Sequence, residues 1–139
     1  MQISESPLKF KHVLKITATD GSNKDGPVVR YQVVDKTLLK ERAGVYLIVQ
    51  DGQIVYCGKF TRTFAKRWLY TKGQYIFHFK RGLLSAALLE NRTIDVYSEG
   101  EEALRIQLGQ PGNEWISATS IEEKIIRDAA PIWNSIGHI

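Results

Sequence analysis

A chain of 139 residues, 43% hydrophobic and 24% charged, has the size and mix of one folded domain with a real core. No stretch approaches the ~18 apolar residues of a bilayer span, and the single cysteine, Cys57, excludes an internal disulfide or a cysteine-cluster metal site. The net charge of +4 is unevenly spread: residues 41–92 hold nine Lys/Arg against three Asp/Glu, whereas 93–139 hold three against eight.

That asymmetry suits a polyanion-binding face with carboxylates kept elsewhere or brought to it. The N-terminus lacks a basic region followed by an apolar block. A cytoplasmic protein with no membrane partner is therefore expected.

Residues 1–8 are polar and read as frayed. Phe10–Thr17 and Pro27–Val34 have strand character, separated by the Gly-bearing loop Asp20–Gly26. Together they read as an N-terminal β-hairpin arm, either gripping a nucleic-acid backbone or serving as extra sheet or an oligomerisation arm. Lys11, Lys15, Lys24 and Arg30 give it a basic side. Asp35–Arg42 reads as a short helix or a connector. Residues 1–42 are thus an arm and connector, and residues 43–139 the core of one compact unit.

The core opens with two apolar runs, Val45–Val49 and Ile54–Cys57, around Asp51-Gly52. Asp-Gly between such runs is a strong hairpin signal, because both turn residues tolerate positive φ. Each run places a tyrosine near a glycine, in Gly44-Val45-Tyr46 and Tyr56-Cys57-Gly58. Thr61 or Thr63 can cap a following helix, with Phe64 and Trp68 on one face. Cations cluster here: Lys59, Arg62, Lys66 and Arg67.

Residues 71–81 mix glycine, aromatics and cations, including Lys72, His78, Lys80 and Arg81, and read as a surface loop or a helix with a flexible entry. Gly82–Glu90 reads as a buried helix, Thr93–Tyr97 as a third strand, and 101–108 as either helix or strand. The last helix is expected from Ser120 to Ala130, stopped by Pro131. Ser120 and Glu123 have capping-box spacing, which leaves Glu122 without a local partner. It can serve the helix dipole or, near a basic tyrosine-bearing surface, hold a hard cation.

These residues together resemble the GIY-YIG nuclease family. Gly44-Val45-Tyr46 and Tyr56-Cys57-Gly58-Lys59 resemble its two name-giving motifs, and the tail Ile121–Asn134 resembles its last motif. The resemblance covers about residues 43–134. It implies an α+β core with a small three-stranded antiparallel sheet flanked by helices. It also implies a Mg²⁺-dependent (or Mn²⁺-dependent) endonuclease acting on double-stranded DNA, of restriction or phage type. By that resemblance Glu122 is the metal ligand and Arg67 stabilises charge on the phosphate. Tyr46 orients or deprotonates the water, Tyr56 bonds the phosphate or water, and Asn134 positions a backbone or Glu122. Lys59 and Arg67 are expected to lower a tyrosine pKa.

A gapless alignment would instead put Lys66 on the phosphate and match Tyr70 to a family tyrosine or histidine. A one-residue insertion favours Arg67, whose planar fork suits phosphate better. Lys66, Arg62, Lys72, His78, Lys80, Arg81, Lys11, Lys15 and Arg30 are the candidate DNA contacts. Cutting both strands calls for a homodimer or higher oligomer. The competing reading is a nucleic-acid-binding module on the same fold that does not cut.

Overall fold

Asp51 and Gly52 turn the chain with φ of 50° and 78°, leaving Gln50 opposite Gln53. This is the two-residue loop that Asp-Gly favours. The computed structural model describes residues 1–23, 26–70 and 74–136; Lys24, Asp25 and Lys72 lie outside the described residues. Five strands form one antiparallel sheet: β1 (Lys11–Asn23), β2 (Gly26–Val33), β3 (Gly44–Gln50), β4 (Gln53–Phe60) and β5 (Ile94–Gly100). Their spatial order is β2-β1-β5-β3-β4.

The expected three-stranded sheet is therefore part of a larger one. The arm hairpin extends it, because β1 pairs along β5, with Lys15 opposite Asp95 and Ile16 opposite Ile94. Val13, Leu14 and Ile16 are fully buried, so separating the arm would expose core.

Four helices cover the sheet: α1 (Phe64–Trp68), α2 (Arg81–Leu89), α3 (Glu101–Gln107) and α4 (Ala118–Ala129). β3 is buried along its whole length. Tyr46 and Ile48 pack into the core under α1 and α2, and Val45, Leu47 and Val49 into the core under α3 and α4. The alternation expected of a pleated strand thus feeds two separate apolar layers.

Two further expectations are corrected, and one open reading is resolved. Residues 1–8 are not frayed: Ile3 N–H donates to the Gly52 carbonyl at 2.7 Å and Ile54 N–H to that of Met1 at 2.9 Å, while Ser6 and Leu8 are buried. The ambiguous segment 101–108 contains α3. The last helix begins at Ala118 rather than Ser120, with Ser117 as its cap. Its capping box joins Ser117 to Ser120, each hydroxyl accepting from the other's N–H. Glu101 adds a carboxylate that accepts from Ala118 N–H at 2.7 Å. Glu123 is thereby released from the capping role assigned to it and is exposed, and Glu122 falls in the second turn.

Candidate active site

The two tyrosines share a face of the sheet because the register places Tyr46 opposite Gly58 and Ile48 opposite Tyr56. Their rings lie diagonally, with centroids 6.2 Å apart. Gly58 makes room for this. A β-carbon built on it would sit 2.4 Å from the Tyr46 hydroxyl oxygen. The glycine of the second motif is thus a space requirement of the tyrosine of the first. Gly58→Ala is expected to push the Tyr46 phenol out of place and lower stability by about 1–3 kcal/mol, the usual cost of overpacking. Denaturant melts of the two proteins check this.

Thr63 caps α1, its side chain accepting from Lys66 N–H. That cap sets the helical phase: Phe64 and Trp68 turn fully inward, and Arg67 comes to lie on the tyrosine cluster. Its guanidinium carbon is 5.7 Å from the Tyr46 ring centre and 5.5 Å from that of Trp68. Lys66 is exposed and has no such contact among the described residues. Of the two candidate cations, the structure brings Arg67 to the tyrosines.

An open cleft of about 420 Å³ lies beside this cluster. Lys59, Arg62, Lys66 and Arg67 line it, together with Tyr70, Thr61, Thr63 and Phe60. Among the described residues, no carboxylate lines it. Tyr70 is 57% exposed there. Lys59 and Arg67 belong both to the cleft and to the site beside it. Lys59 donates to the Thr119 hydroxyl at 2.7 Å, which ties the cleft to α4. Glu122 lies one turn further along that helix.

Glu122 is half-buried. Burial raises its pKa, Lys59 pulls it down, and Glu123 pushes it up. Its charge is also felt at Tyr56, whose pKa it raises. The carboxylate thus stands near Tyr56 and Lys59, with no salt bridge among the described residues. No group of three His, Cys, Asp or Glu able to hold a metal occurs among them either. One half-buried carboxylate of raised pKa, beside a cleft suited to phosphate, fits a hard cation that completes its shell with water and phosphate oxygens.

Several expected roles change once the surroundings are seen. The tyrosines are not acidified. Burial dominates at both and raises both values; Arg67, not Lys59, is the cation that opposes it. Tyr46 is only 2% exposed, so its phenol does not open onto the cleft. Tyr56 is half-buried and is the more accessible of the two. His78 is not a surface contact. It is wholly buried, 2.7 Å from the Tyr46 hydroxyl, and stacked on Trp68 at 5.1 Å. Burial first, then Arg67 and Lys80, drives its pKa down to about 3.

Lys80 is likewise buried, its ammonium donating to the Ile136 carbonyl. A loop read as basic surface instead packs two of its polar residues inward. Arg81 is exposed at the start of α2. Lys11 and Arg30 are exposed and Lys15 is half-buried, but all three lie on β1 and β2. Those strands form the opposite end of the sheet from β4, and none of the three lines the cleft.

Asn134 has a backbone partner. Its amide accepts from Cys57 N–H and donates to the Cys57 carbonyl, both at 2.9 Å. β4 is an edge strand, so these are the groups that its missing neighbour would have satisfied. Asn134 pins β4 between its two motif residues, Tyr56 and Gly58, and its side-chain hydrogen bonds go to Cys57 and not to Glu122. Sequence reasoning missed Thr119, which sits one turn before Glu122 on the same helical face, and the buried bonds of His78. The first had a signal in its three-residue spacing; the second depends on contacts across 32 residues of chain.

Among solved structures, restriction endonuclease HPY188I in complex with product DNA is similar to 67% of this chain at 15% identity, with a TM-score of 0.45. The match spans 56% of the length of that protein. No family model and no curated protein matches the chain.

Proposed function

We propose that this protein is a divalent-metal-dependent DNA endonuclease that hydrolyses phosphodiester bonds in the cleft beside Tyr56, Arg67 and Glu122. The observation that carries the reading is the sharing of Lys59 and Arg67. Four cations line one cleft, and two of them also neighbour the carboxylate and the tyrosines. A phosphate in that cleft would meet positive charge from β4 and from α1 at once. Arg67, braced against two aromatic rings, would hold a fixed guanidinium fork on the non-bridging oxygens as charge grows there.

Glu122 would hold Mg²⁺ or Mn²⁺, which when bound supplies charge neutralisation on the phosphate and the leaving oxygen. Both phenols are held protonated at neutral pH by burial, so Tyr56 acts as a hydrogen-bonding group that orients the water. Neutralising Glu122 would remove a charge that raises the Tyr56 pKa, leaving Arg67 to act against burial. Asn134 keeps Tyr56 and Gly58 in register. The GIY-YIG motifs resembled in the sequence lie on these same elements, and DNA as the substrate rests on that resemblance. Cutting both strands would take two copies of the chain.

A second reading has one observation in its favour. The burial of Tyr46 leaves the first-motif tyrosine shut off from substrate, as in a module that binds nucleic acid without cutting it. Incubation with supercoiled plasmid separates the two. Nicked or linear product in Mg²⁺, absent with chelator and mapped by its ends, is the expected result. Salt-sensitive binding with intact plasmid under Mg²⁺ and Mn²⁺ alike would select the binding module.

A further inference from the structure

Lys80 N–H donates to His78 Nδ1 at 2.9 Å. A ring nitrogen that accepts a hydrogen bond carries no proton. In a neutral imidazole the proton must then sit on the other nitrogen, Nε2. That nitrogen is the one 2.7 Å from the Tyr46 hydroxyl. The direction of this bond follows: His78 donates and Tyr46 accepts. The ring is further held by Trp68, nearly parallel at 24°, and by the edge contact with Tyr56 at 5.4 Å.

The Tyr46 hydrogen must therefore point elsewhere. Arg67, whose guanidinium carbon lies 5.7 Å from the Tyr46 ring centre, has only donors to offer. Tyr56, whose ring centre lies 6.2 Å from that of Tyr46 on the same face of the sheet, has an oxygen that can accept. We propose that His78 is a positioning residue for the tyrosine pair: fixed as the Nε2–H tautomer, it donates to Tyr46 and directs the Tyr46 O–H outward onto Tyr56. The two bonds then run one way, from the Lys80 backbone through His78 to Tyr46, and leave the Tyr46 O–H facing Tyr56.

One consequence separates this arrangement from a tyrosine–histidine base pair. His78 Nε2 already bears its proton and Nδ1 is capped by the backbone, so His78 has no free site to receive the Tyr46 proton. The arrangement turns the Tyr46 O–H toward Tyr56; it does not drain protons inward. Burial of the imidazole, which drives its pKa to about 3, keeps the ring neutral and the direction unchanged at neutral pH. The structural part of the proposal stands on these bonds alone, and its effect on cleavage rests on the nuclease reading.

The test is nitrogen-15 spectroscopy of the wild-type histidine rings, with His78 assigned by through-bond correlation. The expected pattern at neutral pH is a protonated Nε2 and a bare Nδ1; an Nδ1–H tautomer or a charged ring would overturn the proposal. Single-turnover DNA cleavage supplies the second arm. His78→Gln, whose amide nitrogen can donate from near the Nε2 position, is expected to keep its rate within about tenfold of wild type. His78→Phe, with no donor, is expected to fall about 10–100-fold. Equal loss in both variants, with His78→Gln melting as a folded protein, would overturn the donor role. Should the wild type not cleave DNA at all, the nuclease reading fails, while the nitrogen spectrum still decides the tautomer.

Discussion

Glu122→Gln is expected to lower cleavage by at least ~10³-fold and, at neutral pH, to raise the melting temperature. The two effects have one cause. Glu122 is half-buried, and burial lifts its pKa above the ordinary carboxylate value. A carboxyl group whose pKa is higher folded than unfolded stabilises the fold while protonated. That contribution is present below the unfolded value and is lost as pH rises through the folded one. At neutral pH the ionised side chain is therefore a net cost, partly offset by Lys59. Glutamine keeps the shape without the charge.

The gain in melting temperature is expected to vanish on acidification, where Glu122 is protonated in both states. A cation held by Glu122 relieves the same cost, so Mg²⁺ should stabilise the wild type and leave Glu122→Gln unmoved. Calorimetry of both proteins at neutral and acidic pH, with and without Mg²⁺, reads all of these changes. A variant that melts lower than wild type at neutral pH would contradict this account of the carboxylate.

Arg67→Ala is the second large effect, about 10²–10³-fold on the single-turnover cleavage rate. Arg67 reaches the cleft across the faces of Tyr46 and Trp68, an arrangement that suits a planar guanidinium. Arg67→Lys is expected to recover little, since it keeps the charge and loses the fork and the stacking. Lys66→Ala should behave differently. Its exposed side chain in the cleft wall predicts weaker DNA binding and a shallower dependence of affinity on salt, with the rate at saturation nearly unchanged. Rates at saturating protein, set beside binding isotherms at several salt concentrations, distinguish the two cations. A larger loss of rate in Lys66→Ala would restore the gapless alignment.

Local chemistry was legible in the sequence wherever neighbours in the chain decide the outcome. The Asp51-Gly52 turn, the Thr63 cap and the inward phase of Phe64 and Trp68 each depend on a few consecutive residues. The meeting of Arg67 with Tyr46 followed from that phase. Features set by distant partners were not legible. Lys80 and His78 look like surface cations beside Phe77 and Phe79, yet a backbone carbonyl at Ile136 and a phenol at Tyr46 satisfy them in the interior. The sequence leaves the arm open between a nucleic-acid grip, extra strands of sheet and an oligomerisation arm, because nothing local shows that the edge of β1 pairs with β5. The capping box was read three residues late because Ser117 and Ser120 form a pair as readily as Ser120 and Glu123; Glu101, from another helix, completes the cap at the earlier position. The burial of Tyr46 is of the same kind. It depends on Gly58 across the strand, on Trp68 above, and on His78 behind.

We propose that the cation-lined cleft and the cluster around Tyr56, Arg67 and Glu122 are one phosphodiester-cleaving site. A single-turnover reaction decides it: protein and duplex DNA are bound to saturation in chelator, and excess Mg²⁺ then starts the clock. Strand scission by the wild type, and equal binding without scission by Glu122→Gln, are the expected results. DNA left intact by the wild type under Mg²⁺ and Mn²⁺, or cut at the wild-type rate by Glu122→Gln, would contradict it.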